Sequence, residues 1–68
     1  MRLTDRIDKL QGVLKSFWQG SDCRLTVYYD ERVSVDTIHL RVASELATNQ
    51  LQYSIGDYRY ISAPKGAF

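Results

Sequence analysis

Two side chains in this sequence have the chemistry of a nucleophile and its base: Cys23 and His39, each the sole residue of its type in the chain. A Cys–His dyad works when the imidazole lies within hydrogen-bond reach of the thiol, with an oxyanion site beside both. Pairing of 23–29 with 33–42 around Asp30-Glu31-Arg32 would bring the two toward each other. Packing is the stronger reading. Free Cys is among the most buried residue types, and Cys23 alternates in line with Leu25 and Val27. A lone His on an alternating strand most often faces solvent or a local hydrogen-bond partner. No residue is assigned to catalysis, and the chain is read as a non-enzyme.

Metal and phosphate chemistry lack their usual residues as well. Zinc takes three or four Cys, His or carboxylate ligands at close spacing, and neither Cys23 nor His39 has a second of its kind. Asp30-Glu31 and Asp57 do not form the dense acidic run of a calcium loop. Gly12, Gly20, Gly56 and Gly66 stand apart, so neither a phosphate loop nor a dinucleotide fingerprint is present. No metal and no cofactor are expected.

Recognition is the chemistry that remains. Tyr28, Tyr29, Tyr53, Tyr58 and Tyr60 are interleaved with Arg24, Arg32, Arg41 and Arg59. Tyr and Arg are enriched at protein interfaces because each joins a large contact area to a polar end. The candidate partner-binding set is Tyr58, Arg59 and Tyr60, with Tyr28 and Arg41 as neighbours and Trp18 as the next candidate. Adjacent strand residues point to opposite faces, so Tyr28 and Tyr29 cannot both be core. For the same reason Arg59 and its flanking tyrosines should behave differently. A nucleic-acid platform uses the same residue types, with rings on bases and Arg on phosphates. Against it, Asp30, Glu31, Asp36, Glu45 and Asp57 cancel the field, and the net charge is only +1.

The elements that would position these residues follow from periodicity. Leu3, Ile7, Leu10, Leu14 and Phe17 alternate steps of four and three, which predicts one amphipathic helix over 3–19. Thr4 would cap it, Gly20 would end it, and Gly12 would cost about 1 kcal/mol against Ala or mark a close contact. Residues 23–29 alternate and are rich in β-formers, which predicts a strand. Residues 33–48 fit two periods. As a strand, Ile38, Leu40 and Val42 share a face; as a helix capped by Ser34, Val35, Ile38, Val42 and Leu46 do. The β-branched content of 33–42 favours the strand. Residues 50–62 read as β, with Leu51, Tyr53 and Ile55 before Gly56-Asp57 and Tyr58 to Ile61 after it. The expected fold is α+β: an N-terminal helix on a small antiparallel meander, α-β-β-β, or α-β-α-β if 34–48 is helical. A single domain over 1–62 and a mobile tail over 63–68, with Pro64 and Gly66, complete it.

Composition sets the class of function. A chain of 68 residues with 44% hydrophobic and 25% charged residues belongs with ordinary globular domains and not with disordered ones. No apolar run is long enough for a membrane helix or signal core, and one Cys fits a reducing compartment, most simply the cytoplasm. So small a core is marginal alone, which makes self-association or a partner the default expectation. The resulting expectation is a small module that occupies a surface of a larger protein partner as an inhibitor or adaptor, with a homodimer also expected. Accessory proteins of phages and mobile elements are of this type. The alternatives are a nucleic-acid-binding accessory protein and a structural subunit of a homo-oligomeric assembly. No membrane partner is expected.

Overall fold

The computed structural model describes residues 3–48 and 55–68. In chain order these form a short helix α1 (Leu3–Ile7), strand β1 (Val13–Gln19), strand β2 (Arg24–Asp30), a long helix α2 (Val35–Thr48) and strand β3 (Asp57–Ala63). The class is α+β, as composition and periodicity suggest, but the order of elements is α-β-β-α-β. The sheet runs β1-β2-β3, with β1 antiparallel and β3 parallel to the central β2. The antiparallel meander is therefore corrected. A parallel pair cannot be joined by a hairpin and needs a crossover, which α2 supplies.

The expectation of one N-terminal helix is overturned by one turn. The 3–19 helix stops at Ile7, and residues 13–19 are a strand. Gly12 has φ +92, outside helical space, and its carbonyl accepts a 2.8 Å hydrogen bond from the Asp30 amide. An added Cβ at Gly12 would lie 2.9 Å from Cδ1 of Ile38. The chain thus reverses where only a residue without a side chain fits. Beyond the turn a bulge at Leu14 sets the alternation, so Val13, Ser16 and Trp18 face the helices while Lys15, Phe17 and Gln19 face away. The apparent helical stripe mixes both sides of this strand: Phe17 is 46% exposed.

Residues 33–48 resolve in favour of the helix. Ser34 caps it, its Oγ accepting from the Thr37 amide at 3.2 Å, and Ile38 and Val42 are fully buried. Ile38 and Val42, two of the β-branched residues that favour a strand, are the ones this helix places on the sheet, while Val35 is left exposed. Together with Leu3, Ile7, Val13, Leu25 and Val27 they form the core, on one face of the sheet only. Polar ties fix the layers. The buried Ser16 hydroxyl donates to Asp8 at 2.6 Å, and Arg41 donates from α2 to the Gln11 carbonyl at 2.7 Å. Arg6 of α1 lies 3.9 Å from Glu45 of α2.

Leu51 and Tyr53, read above as strand, lie outside the described residues, and β3 starts at Asp57. Its last residue, Ala63, is buried and pairs with Asp30. No helix among the described residues is long and apolar enough to cross a membrane.

Two substitutions separate this architecture from a continuous N-terminal helix. In a helix Gly12→Ala would stabilise by about 1 kcal/mol. Here it should destabilise by at least about that much, read as a lower denaturation midpoint. Ile38→Ala, which empties the contact between α2 and the sheet, should cost about 2–5 kcal/mol by the same measurement.

Candidate functional site

The core occupies one face of the sheet, and among the described residues no helix lies on the other. Alternation along the three strands assigns Lys15, Phe17 and Gln19, then Arg24, Thr26 and Tyr28, then Asp57, Arg59 and Ile61 to this open face. Phe17, Trp18, Gln19, Arg24, Thr26, Tyr28, Arg59 and Ile61 line a shallow depression of about 430 Å³ across it. Its apolar centre is built from paired rings. Phe17 and Tyr28 meet edge to face at 5.9 Å between centroids, and Phe68, beyond β3, lies 4.9 Å from Tyr28.

A charge cluster sits at one end of this face, while Lys15 holds its ammonium 5.9 Å over the Phe17 ring. Asp57 accepts from Nε of Arg24 at 3.0 Å and lies 3.5 Å from Nε of Arg59. One carboxylate thus serves two guanidiniums, with Asp22 a further 3.9 Å contact for Arg24. At the opposite end of β2, Asp30 is clamped by Arg32, whose Nε and Nη2 donate to its two oxygens at 3.2 and 3.0 Å. Hydrogen bonds from the Arg32 side chain and amide hold the Asp30 carboxyl below its ordinary range.

The predicted recognition residues divide between two faces. Arg59 and Tyr28 lie on the open face; Tyr58 and Tyr60 lie on the helix side, stacked on each other at 6.2 Å. There His39 packs edge-on against both rings, and its Nδ1 shares a 2.6 Å hydrogen bond with the Tyr60 hydroxyl. With the imidazole proton on Nε2, the phenol is the donor. Burial, and then the neighbouring Tyr58, push the Tyr60 phenol up to about 12. Arg41 is not a neighbour of this group: its guanidinium is engaged at the Gln11 turn. Trp18 is half-buried, reaching both the core and the rim of the depression.

Cys23 departs from its expected place. It is not in the strand with Leu25 and Val27 but exposed, at φ 50, closing the short turn Gly20–Asp22 between β1 and β2. The left-handed backbone there turns its Sγ toward the Gly20 carbonyl, 3.8 Å away, and not into the core. His39, expected on a strand, projects from α2. No cluster of three or more His, Cys, Asp or Glu able to hold a metal occurs among the described residues.

Sequence reasoning missed Phe17, Arg24, Thr26, Ile61 and Phe68. Arg24, Thr26 and Tyr28 were legible as the second face of the alternating 23–29 segment. Phe17 was hidden by its fit to the helical stripe. Comparison with protein-family models, curated proteins and solved structures gives no match.

Two pH dependences follow. The Asp30–Arg32 clamp stabilises the fold above the ordinary Asp value and is lost as pH falls below about 3.9, so Asp30→Asn should flatten the acid limb of a stability profile. The raised Tyr60 value works in the other sense, since the folded state favours the neutral phenol. Its contribution is present below the ordinary tyrosine value of about 10 and lost as pH rises toward about 12. Tyr60→Phe should remove a step near pH 12 from an ultraviolet titration of the tyrosines.

Proposed function

We propose that this chain is a non-enzymatic protein-interaction module that binds a larger protein through the open face of its sheet. The observation that carries the reading is the arrangement of that face: an apolar centre of Phe17, Tyr28 and Ile61, with Arg24 and Arg59 at its edge. Apolar centres with aromatic and Arg anchors and a polar rim are the anatomy of protein interfaces. Asp57 favours this reading over a nucleic-acid platform. It neutralises part of the charge of both arginines, which a phosphate chain would need in full. A protein surface gains instead from a preset guanidinium fork on a rigid strand. Acting by occupation, such a module serves as an inhibitor or adaptor.

The test uses a photo-reactive amino acid at Thr26, in the middle of the face, and at Leu40, which is 70% exposed on α2. In lysate of the native host, Thr26 should cross-link to a protein, and the product should survive nuclease treatment; Leu40 should give none. Phe17→Ala and Tyr28→Ala should each weaken capture at least about tenfold, the loss of a central anchor of about 2 kcal/mol, with the melting transition retained. Capture should change little between low and moderate salt. Loss of the product with nuclease, or a steep fall with salt, would transfer the function to nucleic acid.

A further inference from the structure

The outer edge of β3 is a second surface, distinct from the open face. Among the described residues nothing pairs with it, because β3 ends the sheet order. The parallel ladder fixes which backbone groups point outward. The Asp57 amide donates to the Cys23 carbonyl and the Ala63 carbonyl accepts from the Glu31 amide, so 57, 59, 61 and 63 address β2. The amides and carbonyls of Tyr58, Tyr60 and Ser62 therefore point away from the sheet.

An edge of this kind normally carries protection: a proline, a bulge, a lysine or a covering segment. The other edge has it. β1 is bulged at Leu14, carries Lys15 and is tied to α1 through the Ser16 hydroxyl, 3.3 Å from the Thr4 carbonyl. β3 pairs one-to-one along all seven residues without a bulge and contains no proline. Its two charges, Asp57 and Arg59, are engaged with each other and with Arg24 on the open face. Apolar side chains flank the edge on both sides. Ile61 is 41% and Tyr58 37% exposed. On α2, Val35 and Ala43 share the four-residue stripe of His39, whose ring contacts Tyr58 and Tyr60. That stripe contains no Asp, Glu, Lys or Arg and is exposed.

We infer that β3 pairs antiparallel with β3 of a second copy of this chain, about a two-fold axis at Tyr60, to give one continuous six-stranded sheet. The strand is self-complementary in this register. Tyr60 faces its own copy, and Tyr58 faces Ser62 of the other chain, so every outward amide meets an outward carbonyl. Arg59 then lies across from the other copy's Ile61. The register shifted by two residues toward the start of the strand would set Arg59 against itself, a like-charge pair that is disfavoured. Both open faces remain on one side of the joined sheet, so this pairing is independent of the function proposed above.

Sedimentation of the full chain over a concentration series tests it, and a dimer is expected at high micromolar concentration. Ser62→Pro removes an outward amide that β2 does not use, and it should weaken the dimer at least about tenfold without lowering the melting temperature of the monomer. Register is read in a Cys23→Ser background by mixing Arg59→Cys with Ile61→Cys chains under an added disulfide oxidant. The mixed disulfide should exceed either homodisulfide. A chain that remains monomeric overturns the inference, as does a dimer that forms no mixed disulfide. If Ser62→Pro does not fold, sedimentation and the cross-link decide alone. If it folds and the dimer is unaffected, the contact lies elsewhere.

Discussion

Strand β2 bonds to β3 in parallel, and most of the architecture is a consequence of that pairing. Two parallel neighbours have their connecting ends at opposite sides of the sheet, so the chain must travel the length of the strand before it can pair again. Helix α2 makes that journey, and a helix crossing a sheet covers one face of it. Ile38 and Val42 bury themselves against Leu25 and Val27, and all four are completely inaccessible to water. The central strand is thereby paired on both edges and packed on one face, and among the described residues no helix covers its second face.

The short N-terminal elements complete the covered side without reaching the other. Leu3 and Ile7 of α1 enter the core, and the buried Ser16 hydroxyl reaches Asp8 beyond the end of α1, satisfied by that carboxylate. Gly12 sets the reversal from α1 into β1 and brings its carbonyl to the Asp30 amide at the far end of β2. Arg41 reaches the same turn from α2. β2 and α2 therefore converge on the Gln11–Gly12 turn that joins α1 to β1, where a side chain on Gly12 would collide with Ile38.

With one face committed to the core, the strand residues acquire separate roles by parity. Leu25, Val27 and Tyr29 pack inward, while Arg24, Thr26 and Tyr28 look outward beside Phe17, Arg59 and Ile61. Tyr58 and Tyr60, adjacent to Arg59 on either side, belong to the helix layer and to His39. The Tyr/Arg set that composition picks out is thus two sets. One is an outward recognition surface; the other closes the core beside β3 and flanks its edge.

The sequence by itself determined the class and the strand β2. Its alternation is long and unbroken, it is rich in β-formers, and it is bounded by turn residues on both sides, so period and propensity agree. Parity then separates Tyr28 from Tyr29 and Arg59 from its neighbours with no further information. Only the tertiary structure decided residues 3–19 and 33–48, where local signals are ambiguous. Spacings of three and four fit a helix, but Val13, Ser16 and Trp18 also fit one face of a bulged strand, and the Gly12 turn, its carbonyl bonded to the amide of Asp30, selects the second. The β-branched residues of 33–42 suit a strand by propensity, yet they form a helix, because β2 and β3 lie parallel and need a crossover between them. Propensities differ by fractions of a kcal/mol per residue, and burying Ile38 and Val42 contributes about 1.5–3 kcal/mol for each side chain. Long-range packing outweighs local preference at these positions, and the partner strands responsible lie too far along the chain for periodicity to detect.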